Sequence, residues 1–146
     1  MIRNILVAID GSEPSKRALA FAVDLAEQIS AEIQLLTVVP PVLIPSLGFY
    51  KVKSKAIKEC TNELGAIFRE ILADAQAEAL KRNPKLKMST KLKTGEPHKE
   101  IVKTAKLGKF DLIVMGSRGL GSRFTAVGSV SSRVIDQASC PVTVIR

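Results

Sequence analysis

The residues best suited to chemistry in this sequence are glycines and small polar residues in one stretch, from Val114 to Val130. An apolar run leads into three spaced glycines, Gly116, Gly119 and Gly128, and a segment with helical spacing follows. Glycine lets backbone N–H groups approach an anion closely because it has no Cβ. Unpaired N–H groups at a helix N-terminus also favour negative charge. This stretch is therefore a candidate phosphate site, and glycines that only shape turns are the alternative interpretation.

A single aspartate, Asp10, occupies a second position suited to ligand chemistry. It follows the apolar run 4–9, which is typical of a strand covered on both faces in a parallel sheet. If this strand and the strand that ends at Gly116 are central neighbours, Asp10 and Gly116 face one another across the crevice of the sheet. The carboxylate would then lie near a ribose, a metal ion or a phosphate-bound water, and the glycine loop would wrap the phosphates.

Catalytic groups of the usual kinds are scarce in this chain. It has one histidine, His98, so neither a Ser–His–Asp nor a Cys–His set can be assembled. We expect His98 to be an exposed residue in the first turn of a helix. Cys60 and Cys140 lack C-x-x-C spacing, and Cys60 falls on an apolar helical face, so we expect it in the core. A binding protein is expected, with slow hydrolysis of a bound triphosphate as its greatest activity.

Length and composition indicate one domain, residues 1–146, of ordinary globular character. Hydrophobic residues make up 46% of the chain and charged residues 25%. The net charge of +8 is scattered over several segments, and with one Tyr and five Phe there are few aromatic platforms for bases. We therefore do not expect nucleic acid as a partner. No signal peptide and no apolar run near the roughly 20 residues of a membrane span is visible, so the expected location is the cytoplasm.

The elements that must position these residues alternate regularly along the chain. Strands are predicted at 4–9, 32–39, 87–93, 111–115 and 141–146, and helices at 13–29, 53–81, 98–107 and 130–138. This alternation predicts an open, doubly wound α/β sheet with four helices, which binds ligands beyond the carboxyl ends of its strands. The proline-rich segment 40–50 is predicted as a loop near those ends, where it could be a lid, a partner contact or simple packing.

Four stretches of the chain, taken together, resemble the universal stress protein family over essentially the whole length. They are Ile5–Ser12, Gly95–Pro97, Asp111–Gly119, and Gly128–Val130 with Cys140–Ile145. The resemblance implies a Rossmann-like parallel sheet of five strands in the order 3-2-1-4-5. It also implies a homodimer formed through the C-terminal strand and, in one branch of the family, ATP binding through a G-x2-G-x9-G-[S/T] motif.

The same resemblance implies a set of nucleotide-binding residues. Asp10 would meet the ribose or metal-bound phosphates, with Mg²⁺ as the possible metal, and the backbone of Val38 would contact adenine. Met115 and Gly116 would lie under the ribose, and the glycine loop would hold the phosphates through backbone N–H groups and a hydroxyl. The full set is Ala8, Ile9, Asp10, Val38, Met115, Gly116, Arg118, Gly119, Gly128, Ser129 and Val130.

One departure from the family pattern bears on the ligand. Eight residues separate Gly119 from Gly128, where the motif has nine. A loop can absorb that deletion, or the deletion can tilt the helix N-terminus and weaken the triphosphate cradle. ATP or another adenine nucleotide is the leading ligand. The alternatives are a dimeric interaction module that binds no nucleotide and acts through an unknown protein partner, and a small nucleotide-handling enzyme of a related superfamily.

Overall fold

The computed structural model describes residues 1–41, 54–119 and 127–146 of the chain. Within these ranges, strands and helices alternate as the sequence predicts. The strands are β1 (Asn4–Ala8), β2 (Glu32–Val39), β3 (Met88–Thr94), β4 (Leu112–Gly116) and β5 (Val142–Ile145), and the helices are α1 (Glu13–Ile29), α2 (Ser54–Arg82), α3 (Pro97–Leu107) and α4 (Ser129–Gln137). Most of the 40–50 segment and the centre of the glycine loop, 120–126, lie outside the described residues.

The five strands form one parallel sheet in the order β3-β2-β1-β4-β5. This confirms the fold class and the strand order expected from the resemblance. β1 lies at the centre, and Ala8 at its carboxyl end is opposite Met115 of β4. The strand order reverses between these two strands, so the crevice of the sheet opens beyond their carboxyl ends.

The core is divided by the sheet into two aliphatic layers. Successive residues of β1 pack into opposite layers: Ile5 and Val7 pack under α1 and α2, whereas Leu6 packs under α3 and α4. All three side chains are fully buried. Burial on both faces explains why β1 is a continuous apolar run, since neither face can carry a polar side chain to water.

The expectation that Cys60 on α2 lies in the core is wrong. Leu72 and Ala79 are buried, but Cys60 is exposed and Ile67 is 55% exposed. With 29 residues, α2 is about 43 Å long. The eight residues of β2, against which it packs, span only about 26 Å. The N-terminal turns of α2 therefore extend past the sheet that would have covered them.

The expectation that His98 is exposed is also wrong. His98 lies in the first turn of α3 and is only 6% exposed, with its Nε2 3.8 Å from Oε2 of Glu96. The physical reason is helical period, because His98, Ile101 and Ala105 occupy positions i, i+3 and i+7 on the buried face of α3. None of the helices in the described ranges combines the length and the apolarity needed to cross a membrane.

Candidate functional site

A cavity of about 250 Å³ opens beyond the carboxyl ends of β1 and β4, at the reversal of the strand order. It is the crevice in which an open α/β sheet holds its ligand. The structure brings every one of the sequence-predicted site residues to this one cavity. They are Ala8, Ile9, Asp10, Val38, Met115, Gly116, Arg118, Gly119, Gly128, Ser129 and Val130. Their roles in binding a nucleotide stay a prediction.

The cavity also has lining residues that sequence reasoning missed. Two of them, Leu36 on β2 and Ser131 on α4, lie near predicted residues, and their positions follow from strand and helix period. Phe68 comes from the middle of α2, and no local pattern in the sequence connects it to the glycine stretch. Only the packing of α2 against the sheet brings it to the cavity.

The two carboxylate oxygens of Asp10 have different surroundings. Its Oδ1 accepts hydrogen bonds from the backbone N–H of Ser12 at 2.9 Å and from the Ser12 hydroxyl at 2.5 Å. Ser12 in turn is the N-cap of α1, where its Oγ accepts from the N–H of Ser15. Within the described ranges Oδ2 accepts no hydrogen bond, and a Cβ built on Gly119 would lie 2.6 Å from it. One oxygen is therefore held by the turn, and the other faces Gly119 and is available to a ligand.

Gly116 has a packing role that is separate from phosphate binding. A Cβ at this position would lie 2.8 Å from the carbonyl carbon of Pro14 and 2.8 Å from the backbone nitrogen of Ser15. The first turn of α1 therefore rests directly on the end of β4. The absence of a side chain at Gly116 lets the two elements approach, and this approach brings Asp10 close to Gly119.

At the N-terminus of α4 some backbone donors are engaged within the protein and others are not. Gly128, the N-cap, donates its own N–H to the carbonyl of Ser117 at 2.6 Å, and the hydroxyl of Ser131 donates to the same carbonyl at 2.8 Å. No side chain caps the helix, and among the described residues the N–H groups of Ser129 and Val130 have no acceptor. The donors open to an anion therefore include those of Ser129 and Val130, whereas the Gly128 N–H is already bonded to Ser117.

Metal-ligating side chains do not gather at this cavity. In the part of the chain that the structure describes, no three His, Cys, Asp or Glu side chains come close enough to hold a metal ion together. Asp10 is the single carboxylate among the described lining residues. The arrangement can thus offer one carboxylate oxygen at one end of the cavity and helix N–H groups at the other.

The model of the universal stress protein family matches residues 1–146. Universal stress protein YxiE of Bacillus subtilis is 36% identical over an alignment of 150 residues that covers 100% of both chains. Among solved structures, the universal stress protein UspA from Lactobacillus plantarum is similar at a TM-score of 0.85 and 30% identity, covering 99% of this chain and 97% of that one.

Two further solved structures share the fold and contain adenine nucleotides. One is a universal stress protein in complex with cAMP, similar at a TM-score of 0.73 and 23% identity over 99% of this chain and 97% of that one. The other is the universal stress protein from Archaeoglobus fulgidus in complex with dAMP, at a TM-score of 0.66 and 23% identity, covering 100% and 98%. At this identity they show the fold alone. The match of the family model to the whole chain, together with the full-length relative, shows that the chain belongs to the universal stress protein family.

Proposed function

We propose that this protein binds an adenine nucleotide, with ATP as the leading ligand, and acts in a stress response or in signalling. One observation carries the proposal: the eleven residues expected to contact the nucleotide all line one cavity at the reversal of the strand order. They come from β1, β2, β4 and the start of α4, and from the turns next to them, which are distant in sequence. The shared cavity supports a single ligand that contacts all of these segments at once.

The phosphates are assigned to the end of the cavity formed by α4. The N–H groups of Ser129 and Val130 have no acceptor among the described residues, and Gly128 has no side chain that could cap the helix. A helix N-terminus carries roughly half a positive charge, so a phosphate oxygen can take the place of the missing cap. Arg118, which also lines the cavity, adds positive charge.

The ribose or a metal ion is assigned to Oδ2 of Asp10. An ionised carboxylate oxygen accepts a hydrogen bond from a ribose hydroxyl, or it binds Mg²⁺ directly. Mg²⁺ commonly takes one or two carboxylates and completes its shell with phosphate oxygens and water. A single open carboxylate oxygen beside a phosphate site fits that donor set, so the residues present are compatible with a Mg²⁺–nucleotide complex.

The proposed function is binding of the nucleotide and not catalysis. Among the described lining residues no histidine is present, and one oxygen of the only carboxylate, Asp10, is held by Ser12. A water molecule attacking a bound phosphate would therefore lack an evident general base. The fold positions the nucleotide, and any hydrolysis is expected to be slow.

A dimeric interaction module without nucleotide remains the second candidate, and two observations favour it. The N–H of Gly128 is bonded to Ser117 rather than free for phosphate, and the loop before it is one residue shorter than the family motif. Denaturing the purified protein and measuring the mass and ultraviolet spectrum of any released ligand separates the two. Calorimetric titration of the ligand-free protein with ATP and Mg²⁺ completes the test, and the absence of both released nucleotide and binding would favour the interaction module.

We also propose a homodimer formed through β5. The carbonyl of Pro141 accepts from Ile113 of β4, and that of Ile145 accepts from Ser117, which follows β4. Successive residues of a parallel strand face opposite sides, so Val142 and Val144 direct their N–H and C=O groups to the open edge. The opposite edge, β3, carries Lys91 and Lys93, and such lysines protect an edge from pairing. β5 has no charged residue within its bounds. A second copy would satisfy this edge by antiparallel pairing about a two-fold axis.

A further inference from the structure

We propose that Phe68 of α2 is the aromatic wall of the base subsite and contacts the nucleobase directly. The inference rests on the proposed nucleotide function and adds a ligand contact to it. Phe68 belongs neither to the glycine-rich stretch nor to any of the four stretches that carry the family resemblance. It is the single aromatic residue among the described residues that line the cavity.

The position of Phe68 along α2 places it at the open end of the sheet. Ile71, one turn further along the helix, reaches Gly11 just beyond β1, because a Cβ on Gly11 would lie 3.0 Å from Cδ1 of Ile71. α2 follows β2 and leads back to β3, which is parallel to β2, so its N-terminal direction points to the carboxyl ends of the strands. Phe68 is therefore one turn nearer to the crevice than Ile71, and it lines the cavity together with Pro40, which follows β2.

The base end of the cavity is bounded by apolar side chains from both faces of the sheet. Val38 lies at the end of β2, and Pro40 follows it. Phe68 approaches on the face that carries α1, where its neighbour Leu72 joins the core. Ile101 approaches from α3 on the opposite face. Apolar side chains from both faces of the sheet favour an apolar part of the ligand at this end, and in a nucleotide that part is the base.

A purely structural role for Phe68 is the alternative, and a comparison with Leu72 separates the two roles. Phe68 and Leu72 are each 8% exposed, and they occupy successive turns of one helix face. Leu72 belongs to the core cluster under α1 and α2, whereas Phe68 belongs to neither core cluster of the described residues. Phe68 is thus both buried and part of the cavity wall, whereas Leu72 is buried in the core cluster alone. Leu72 does not line the cavity, which makes it a matched control.

The test compares ATP binding by the full-length wild type, Phe68→Ala, Phe68→Leu and Leu72→Ala, each freed of bound ligand, by calorimetry. Loss of an aromatic contact to a base weakens binding by about 5- to 150-fold, which is the change expected for Phe68→Ala. Phe68→Leu keeps an apolar side chain of similar bulk without the ring, and we expect a smaller loss. Leu72→Ala should lower the melting temperature and keep the ATP affinity of the wild type within about twofold.

A direct measurement of the contact between the ring and the base does not depend on the stability of the variants. In the wild-type complex, nuclear Overhauser effects should connect the adenine H2 or H8 proton with phenylalanine ring protons, and Phe68→Leu should abolish them. If the wild type binds ATP and Phe68→Ala binds it equally well, the inference is overturned and the proposed function stays intact. The same holds if the wild-type complex shows none of these Overhauser effects. A wild-type protein that binds no adenine nucleotide would overturn both.

Discussion

We propose that Asp10 combines a structural role with a ligand-binding one, because Oδ1 is bonded to Ser12 and Oδ2 faces Gly119. Asp10→Asn and Asp10→Ala separate these roles. Asparagine retains an oxygen that can accept from Ser12 but loses the charge, so we expect Asp10→Asn to fold normally and to bind Mg²⁺–ATP more weakly by roughly 1–3 kcal/mol. Asp10→Ala should lose stability as well.

Calorimetry with and without Mg²⁺, together with thermal melts, measures both effects for Asp10. If the carboxylate acts on the metal or the ribose, the affinity falls in both variants and the melting temperature falls mainly in Asp10→Ala. A variant with lower stability and unchanged affinity would contradict the ligand role and leave Asp10 as a turn residue alone.

A side chain at Gly119 would displace the carboxylate of Asp10. The backbone of Gly119 is not in the left-handed region, so alanine is compatible with its conformation, but the new Cβ would lie 2.6 Å from Oδ2 of Asp10. The carboxylate would have to move away from the ligand. We expect Gly119→Ala to lower Mg²⁺–ATP affinity by about tenfold or more, which corresponds to about 1.4 kcal/mol, while the protein stays folded.

The matched control for this substitution is Gly65→Ala in α2. Among the described residues, a Cβ there would meet only the Arg69 guanidinium, at 3.9 Å. Alanine in a helix interior stabilises by about 0.5–1 kcal/mol relative to glycine, so Gly65→Ala should raise stability and leave ATP affinity unchanged. Equal affinity in the wild type and Gly119→Ala would show that the cavity does not use the space beside Asp10.

At the scale of elements, one carboxylate joins the amino end of β4 to that of β1. Oδ2 of Asp111 accepts from the backbone N–H groups of Arg3 at 2.8 Å and Asn4 at 3.0 Å, and these two hydrogen bonds lower the pKa of Asp111 below its ordinary value of 3.8. A carboxylate whose pKa is lower in the folded state stabilises the fold. This stabilisation is fully present when the pH is above the pKa of the unfolded state, and it is lost as the pH falls through the pKa of the folded state.

Asp111→Asn should therefore be less stable than the wild type near neutral pH, and the difference should shrink as the solution is acidified below about pH 4. Urea unfolding of both proteins at about pH 7, 5 and 3 gives the comparison. A difference in the free energy of unfolding that is constant over this range, or that grows on acidification, would mean that the charge of Asp111 does not support the junction between β1 and β4.

At the scale of the whole molecule, the two edges of the sheet predict where a second copy binds. Val144→Pro removes an N–H that faces the open edge of β5 and leaves the bonds to β4 in place, since proline is tolerated where a strand N–H points outward. We expect light scattering to report a dimer for the wild type at micromolar concentration and a shift to monomer for Val144→Pro.

Thr90→Pro is the corresponding control on β3. Lys87, just before β3, accepts from β2 through its carbonyl, and the ladder alternates sides, so Thr90 also directs its N–H outward. This variant should remain dimeric. A wild type that is monomeric at micromolar concentration, or a loss of the dimer in Thr90→Pro but not in Val144→Pro, would refute pairing through β5.

The sequence by itself determined the order and type of the elements. Strands and helices have side-chain periods of two and 3.6 residues, which can be recognised in a short segment of sequence. The apolar run of β1 and the helical spacing of α1 and α3 are examples. The sequence also determined that Asp10 and the glycines belong to one crevice. Parallel strands bring their carboxyl ends to one edge of the sheet, so residues that follow different strands meet there.

Only the tertiary structure decided how those residues are arranged. The exposure of Cys60 depends on the length of α2 relative to the sheet, and the place of Phe68 in the cavity depends on how α2 crosses β2. The bond from the Gly128 N–H to Ser117 depends on the path between two segments that are not adjacent in sequence. The local spacing of residues determines which elements form and where they end. Contacts between distant segments depend instead on the lengths of whole elements and on how they pack.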